Sequence, residues 1–120
     1  MSLSFHSTVI HGAALGRTLG FPTANLEKGP EGLEFGVYVV RVKLAQGEFL
    51  GAANWGPKPS LGSLEPVFEV HVLDFSGDLY GQNMEIFVLE KIRAVQKFAS
   101  LDELKAQIAR DLEAVRKMQV

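Results

Sequence analysis

Hydrophobic periodicity changes once along this 120-residue chain, and that change limits the folds open to it. Up to about residue 92, apolar residues recur at alternate positions in runs rich in Val, Phe and Tyr. Such runs suit half-buried strands, because successive side chains of extended backbone point to opposite faces. Residues 37–44, Val-Tyr-Val-Val-Arg-Val-Lys-Leu, predict a strand with one wet face, on which Arg41 and Lys43 alternate against Val40, Val42 and Leu44. Gln46-Gly47 predicts a turn into a second short strand, Glu48 to Ala53. Residues 67–75 alternate again, with Phe68, Val70 and Val72 opposed to Glu69, His71 and Leu73. Further strands are expected over about 84–92 and around 5–11, with Ser76-Gly77-Asp78 as a turn.

From Ser100 the spacing is helical. Leu101, Leu104, Ile108, Leu112 and Val115 form one apolar stripe for packing on the sheet, while Glu103, Lys105, Arg110 and Glu113 face water. Ser100-Leu101-Asp102-Glu103 is a capping box: Ser100 accepts from the Glu103 backbone N–H and Glu103 reaches back. Early acids and the late Arg116 and Lys117 suit the helix dipole. Several strands followed by one terminal helix predict an antiparallel sheet or small barrel, plugged or flanked by that helix. The length and 47% hydrophobic content suit one core, so a single domain over residues 1–120 is expected. Glu27 to Glu34, rich in Gly and Glu, is the segment expected to be mobile.

Composition narrows function by exclusion. A formal net charge of −2 provides no global basic field for a nucleic-acid backbone, so any anion site must be local. There is no run of about 18 apolar residues and no secretory leader pattern. A soluble, cytoplasmic monomer is expected, with neither nucleic acid nor membrane as partner. The absence of cysteine excludes disulfides, thiolate chemistry and cysteine-ligated zinc. His6, His11 and His71 lack the spacing of a zinc motif, and neither a full P-loop nor a Gly-x-Ser-x-Gly turn is present.

The chemistry-bearing residues concentrate in three places. Gly16-Arg17-Thr18-Leu19-Gly20-Phe21-Pro22-Thr23-Ala24-Asn25 brackets a basic turn with glycines. Glycines let backbone N–H groups approach an anion, and Arg17 adds a permanent charge. Thr23 and Asn25 offer hard oxygens two residues apart, on one face if extended, a pattern suited to Mg²⁺ shared with substrate phosphates. The same residue types also make ordinary turns.

Glu69 sits within a strand pattern, where a rigid backbone can aim a carboxylate as a general base. Its plainer role is a solvated strand residue paired across the sheet with Arg41 or Lys43. His71 shares its face as a second acid–base group, a metal ligand or a structural residue. Trp55, in Asn54-Trp55-Gly56-Pro57-Lys58-Pro59-Ser60, either stacks on a planar ligand or closes the core edge beside a rigid turn. Arg93, Lys97 and Phe98 form a pocket wall or a cap before the helix.

Taken in order, Gly12, Gly16-Arg17, Leu19 to Leu26, Gly36-Val37-Tyr38, Asn54-x-Gly56, Glu69 to Phe75, Asp78 to Gly81, Arg93 and Lys97-Phe98 resemble the riboflavin kinase family over nearly the whole chain. The resemblance implies a mainly β fold, a small closed antiparallel Greek-key β-barrel with a C-terminal α-helix. It implies ATP-dependent phosphorylation of the riboflavin 5′-hydroxyl, giving FMN and ADP. Glu69 would be the base, and Thr23 and Asn25 would hold Mg²⁺, with Mn²⁺ or Zn²⁺ as alternatives. Gly12, Gly16, Arg17, Gly20, Pro22, Thr23, Asn25 and Asn54 would contact ATP, with the Gly12–Arg17 loop closing over its phosphates. Glu69, Arg93 and Phe98 would contact the flavin.

Three features depart from the family pattern. Lys58 and Ser60 stand where many members carry Arg and Thr, which keeps charge and hydroxyl but loses the guanidinium fork. Ala94-Val95 follow Arg93 where Pro-Glu is common. Within 120 residues there is no room for the FMN adenylyltransferase domain to which bacterial members are often fused, so FAD synthesis is not expected. The competing functions are a non-catalytic flavin or nucleotide-binding regulatory module, and a phosphotransferase with another donor or acceptor.

Overall fold

The described residues form six strands: β1 (Leu3–Ile10), β2 (Thr23–Leu26), β3 (Gly36–Leu44), β4 (Gly47–Pro57), β5 (Pro66–Val72) and β6 (Asn83–Arg93). They precede the helix α1 (Leu101–Met118). The structure, a computed structural model, describes residues 3–10, 23–57, 65–75 and 77–118. All strand pairs are antiparallel, and the sheet closes in the order β1-β2-β5-β4-β3-β6, with β6 returning to β1. The β3–β4 connection is a hairpin, whereas β2 to β3 and β5 to β6 each skip two strands, which is the Greek-key arrangement.

Period-two alternation on a closed barrel sends half of each strand inward. Val40, Val42, Phe68, Val70, Val72, Met84 and Ile86 are essentially inaccessible and fill the interior. The alternate residues point outward, and where they are apolar they need cover. Helix α1 supplies it by laying Ile108, Leu112 and Val115 over Val39, Ala52 and the half-buried Leu50. Burying each large aliphatic side chain stabilises the fold by about 1.5–3 kcal/mol. Leu101, expected in this stripe, is exposed, and the packed face begins at Leu104. The helix start follows its capping pattern, with Glu103 N–H donating to Ser100 Oγ at 3.1 Å. The Glu103 carboxylate reaches one residue further back than the box prescribes, accepting from Ala99 N–H at 3.0 Å. No helix among the described residues is long and apolar enough to cross a membrane.

Several boundaries differ from the sequence expectation. β4 runs on to Pro57 because Trp55 and Gly56 pair with Phe68 and Val67, and Pro57 sits at the strand end where a missing N–H is tolerated. β5 stops at Val72, and Asp74 turns the chain with φ of 58°, a left-handed conformation that aspartate tolerates. Ala45-Gln46 rather than Gln46-Gly47 form the hairpin turn, since Gly47 already pairs with Leu44. β2 is not among the strands that the alternation predicts; from sequence, Thr23 and Asn25 share a face only if the chain there is extended. Four residues are too few to show a period, and this strand is defined by its neighbours β1 and β5. His11 and Ser76 of the predicted strand and turn lie outside the described residues.

The Glu27–Glu34 segment, expected to be mobile, is anchored along its length. Lys28 N–H donates to Ser7 Oγ at 2.9 Å, Trp55 Nε1–H to the Leu33 carbonyl at 2.9 Å, and Tyr38 O–H to the Glu34 carbonyl at 2.6 Å. Glu34 also pairs with Lys91. The Lys91 hydrogen bond holds the Glu34 carboxyl below its ordinary value and, reciprocally, raises the Lys91 ammonium. Burial raises the Tyr38 phenol.

Gly29 lies against the Trp55 indole so closely that any Cβ there would overlap the ring. Gly29→Ala is therefore expected to destabilise the protein by about 1–3 kcal/mol in urea unfolding followed by Trp55 fluorescence. Tyr38 and Tyr80 are the only tyrosines, so in a Tyr80→Phe variant the phenolate absorbance reports Tyr38 alone. It should appear above the ordinary phenol value of about 10. Because the folded state holds this proton more tightly, the associated stability is present below the unfolded value and is lost as pH rises through the folded one.

Candidate functional site

Strands β2, β5 and β4 lie side by side, and residues paired across them share a face. Asn25 pairs with Glu69 and Glu69 with Asn54, so the three side chains form one row across the barrel wall. The row continues through Val37 on β3 to Arg93 on β6. Thr23, His71 and Ala52 form the adjacent row. Both rows face outward, because Ala24, Phe68, Val70, Ala53 and Trp55 between them point into the barrel. They adjoin the seam covered by α1, to which Ala52 belongs.

Glu69 is only 4% exposed, His71 6% and Asn25 8%. Burial rules out the solvated role for Glu69. Its expected partners Arg41 and Lys43 are on β3, which does not border β5, and they pair with residues of β4 and β6 instead. The failure is one of topology: sequence alternation fixes a face but not which strands are neighbours. Burying a carboxylate is costly unless polar or charged groups surround it. The polar surroundings here include His71, whose Nε2 lies 3.7 Å from Glu69 Oε1. Its Nδ1 is 3.2 Å from Thr23 Oγ1. The histidine thus spans the two rows, joining Thr23 to Glu69.

Among the described residues no group of three or more His, Asp or Glu side chains can hold a metal. Thr23 and Asn25 present two hard oxygen-bearing side chains on one outward face. That donor set is too small for a full protein cage and fits a cation such as Mg²⁺, which keeps waters and takes further ligands from phosphates.

At the far end of the row Arg93 clamps the helix. Its Nε and Nη2 donate to Asp111 Oδ1 and Oδ2 at 3.0 and 2.8 Å, and Nη1 donates to the Ala94 carbonyl at 3.0 Å. The guanidinium lies 5.8 Å from the Phe98 ring centroid, so Arg93 and Phe98 are brought together. Asp111, only 5% exposed and also bound by Gln107 Nε2 at 2.9 Å, was missed in the sequence. The available signal was a charge within the apolar stripe, between Ile108 and Val115. Trp55 belongs to the core edge, 8% exposed, edge-on to Phe35 and tilted against Phe68. Gly12, Gly16, Arg17, Gly20, Pro22, Lys58 and Ser60 lie outside the described residues.

A family model described as flavokinase, riboflavin kinase, matches residues 1–119. The chain belongs to the riboflavin kinase family. It is 47% identical over 110 residues to the bifunctional riboflavin kinase/FMN adenylyltransferase of Haemophilus influenzae, a match covering 90% of this chain and 36% of that protein. The chain thus spans about a third of the length of such curated relatives. Among solved structures, a riboflavin kinase from Trypanosoma brucei superposes with a TM-score of 0.72 at 26% identity, covering 98% of this chain and 76% of that one. A Streptococcus pneumoniae crystal structure described as a macrolide-efflux protein gives a TM-score of 0.83 at 37% identity, covering 95% of this chain and 38% of that one. The family's closed barrel and C-terminal helix are those described above.

Asp111→Ala would leave the Arg93 guanidinium without its bidentate partner. Breaking a fully buried pair costs about 3–5 kcal/mol. Arg93 is 21% exposed in its side chain, so a loss of about 2–4 kcal/mol in denaturant unfolding is expected, with helix and barrel still unfolding together.

Proposed function

We propose that this chain transfers the γ-phosphoryl group of ATP to the 5′-hydroxyl of riboflavin, giving FMN and ADP. The observation that carries the proposal is the buried Glu69 carboxylate, held in register between Asn25 and Asn54 and one row from Thr23. Phosphoryl transfer asks a protein mainly to position an in-line hydroxyl and to neutralise charge. A carboxylate on a central strand of a closed barrel is aimed by backbone rather than by a flexible loop.

In this mechanism Glu69 accepts the proton of the ribityl hydroxyl as its oxygen bonds to the γ-phosphorus. The bond from that phosphorus to the bridging oxygen breaks, and ADP leaves with the electron pair. Thr23 and Asn25 would hold the divalent cation, and Asn54 would orient the nucleotide from the other side of Glu69. A bound Mg²⁺ supplies charge neutralisation for the phosphate oxygens. Phe98, backed by Arg93, offers an apolar wall for the flat flavin, while Arg93 itself is engaged by Asp111.

Incubation with riboflavin, ATP and Mg²⁺, with FMN separated by chromatography, tests the activity, and Mn²⁺ and Zn²⁺ in place of Mg²⁺ test the metal. FMN should form only when all components are present and should vanish with chelator. Glu69→Gln should lower turnover by about 10²- to 10⁴-fold while riboflavin binding, read by quenching of flavin fluorescence, stays near wild type. Flavin binding without FMN formation by the unaltered chain would instead identify a non-catalytic binding module.

A further inference from the structure

His71 is buried, pairs with Thr23 in the row beside that of Glu69, and so lies next to the two side chains on which the proposed reaction depends. Its Nδ1 is within hydrogen-bond distance of Thr23 Oγ1 at 3.2 Å. Its Nε2 faces Glu69 Oε1 at 3.7 Å, beyond a hydrogen bond but within electrostatic contact in a buried setting. Register explains the arrangement: Thr23 is opposite His71, and Glu69 precedes His71 by two residues on the same face of β5.

We infer that His71 is a positioning residue that orders the protons of Thr23 and Glu69 through a single tautomer, a role that rests on the kinase reading above. An ionised carboxylate repels a ring-nitrogen lone pair and attracts an N–H, so at 3.7 Å its field favours the proton on the nitrogen that faces it, Nε2. In the neutral ring the other nitrogen, Nδ1, is then an acceptor and draws the hydroxyl proton of Thr23. A hydroxyl has one proton and two lone pairs; with the proton committed to His71, Thr23 Oγ1 is left to act as an acceptor, the state a cation ligand requires. The opposite tautomer would place a nitrogen lone pair against the carboxylate and spend a threonine lone pair on the ring. One side chain therefore prepares the metal-side oxygen and steadies the base, in the manner of an outer partner that fixes a ligand's orientation.

The two arms of the ring can be separated. His71→Asn places an amide near the Nδ1 position and can still accept from Thr23, but falls short of Glu69. His71→Gln reaches towards Glu69 and leaves Thr23. The first reading is made on the unaltered protein without substrates, by ¹⁵N NMR of the imidazole at pH 8, with the His71 signals identified by their loss in His71→Asn. A protonated Nε2 and bare Nδ1 are expected, and a proton on Nδ1, alone or with Nε2, overturns the inference. The second reading is Mn²⁺ binding in the presence of ADP, followed by electron paramagnetic resonance alongside kcat.

His71→Asn should keep Mn²⁺ affinity within about twofold while kcat falls about tenfold, the weight of one interaction with a charged group. His71→Gln should reverse the pattern, with Mn²⁺ affinity weakened about three- to tenfold and kcat less affected. The KM for riboflavin should not move in either variant. Equal losses in both readouts for both variants would mark a merely structural histidine, and unchanged values would equally overturn the inference. If the unaltered chain forms no FMN, the kinase reading fails; if it forms FMN and the variants do not split, only the role of His71 fails.

Discussion

Closure of the barrel is the constraint on which everything else depends. A closed antiparallel sheet has no edge strands, so each strand has a fixed partner on both sides and its register cannot slip without turning its apolar residues outward. The interior then takes one of every two side chains. The other half must be covered, solvated or gathered into a polar cluster, and this chain divides its outer wall among those three fates. Val39 and Ala52 are covered by α1, Arg41 and Lys43 are at least partly exposed to solvent, and Asn25 and Glu69, beside the half-buried Asn54, are buried yet polar.

Two buried carboxylates show how differently the same cost can be met. Asp111 faces a permanently charged guanidinium through two parallel hydrogen bonds, with Gln107 as a third donor, and joins the helix to β6. Such a pair is firm because the partner cannot lose its proton. Glu69 faces an imidazole at longer range, a partner whose charge is not fixed. In the proposed reaction Glu69 takes up a proton, a role that a tight bond to arginine would oppose by holding the carboxylate ionised. The two sites sit on one outer face, the first tying the scaffold and the second, in the proposed reaction, serving the chemistry.

Parts of this organisation were legible in the chain because they are local. Alternation over 37–44 and 67–72, the helical stripe from Leu104 to Val115 and the Ser100–Glu103 cap depend only on spacing along the backbone. Thr23, Asn25 and Glu69 stood out as candidates through residue type and strand context. What spacing did not reveal was β2 as a strand, the continuation of β4 through Trp55 to Pro57, and the anchoring of Glu27–Glu34 by Ser7, Tyr38 and Trp55. Each is a relation between segments far apart in sequence. The Asp111 stripe position was visible but ambiguous, since a charge on a helix is ordinarily solvated unless a partner waits across the interface.

By itself, the sequence determined a mainly β domain with a terminal helix, the inward face of its longer strands and the residue types able to bind phosphate and accept a proton. These follow from periodicity and side-chain chemistry, which act over a few residues. Only the tertiary structure decided that Glu69 lies between Asn25 and Asn54 rather than beside Arg41 or Lys43, that His71 links it to Thr23, and that Arg93 is held by Asp111. Strand order sets those neighbours, and strand order is fixed by how the barrel closes and which connections cross it, a global choice that alternation within one strand does not encode.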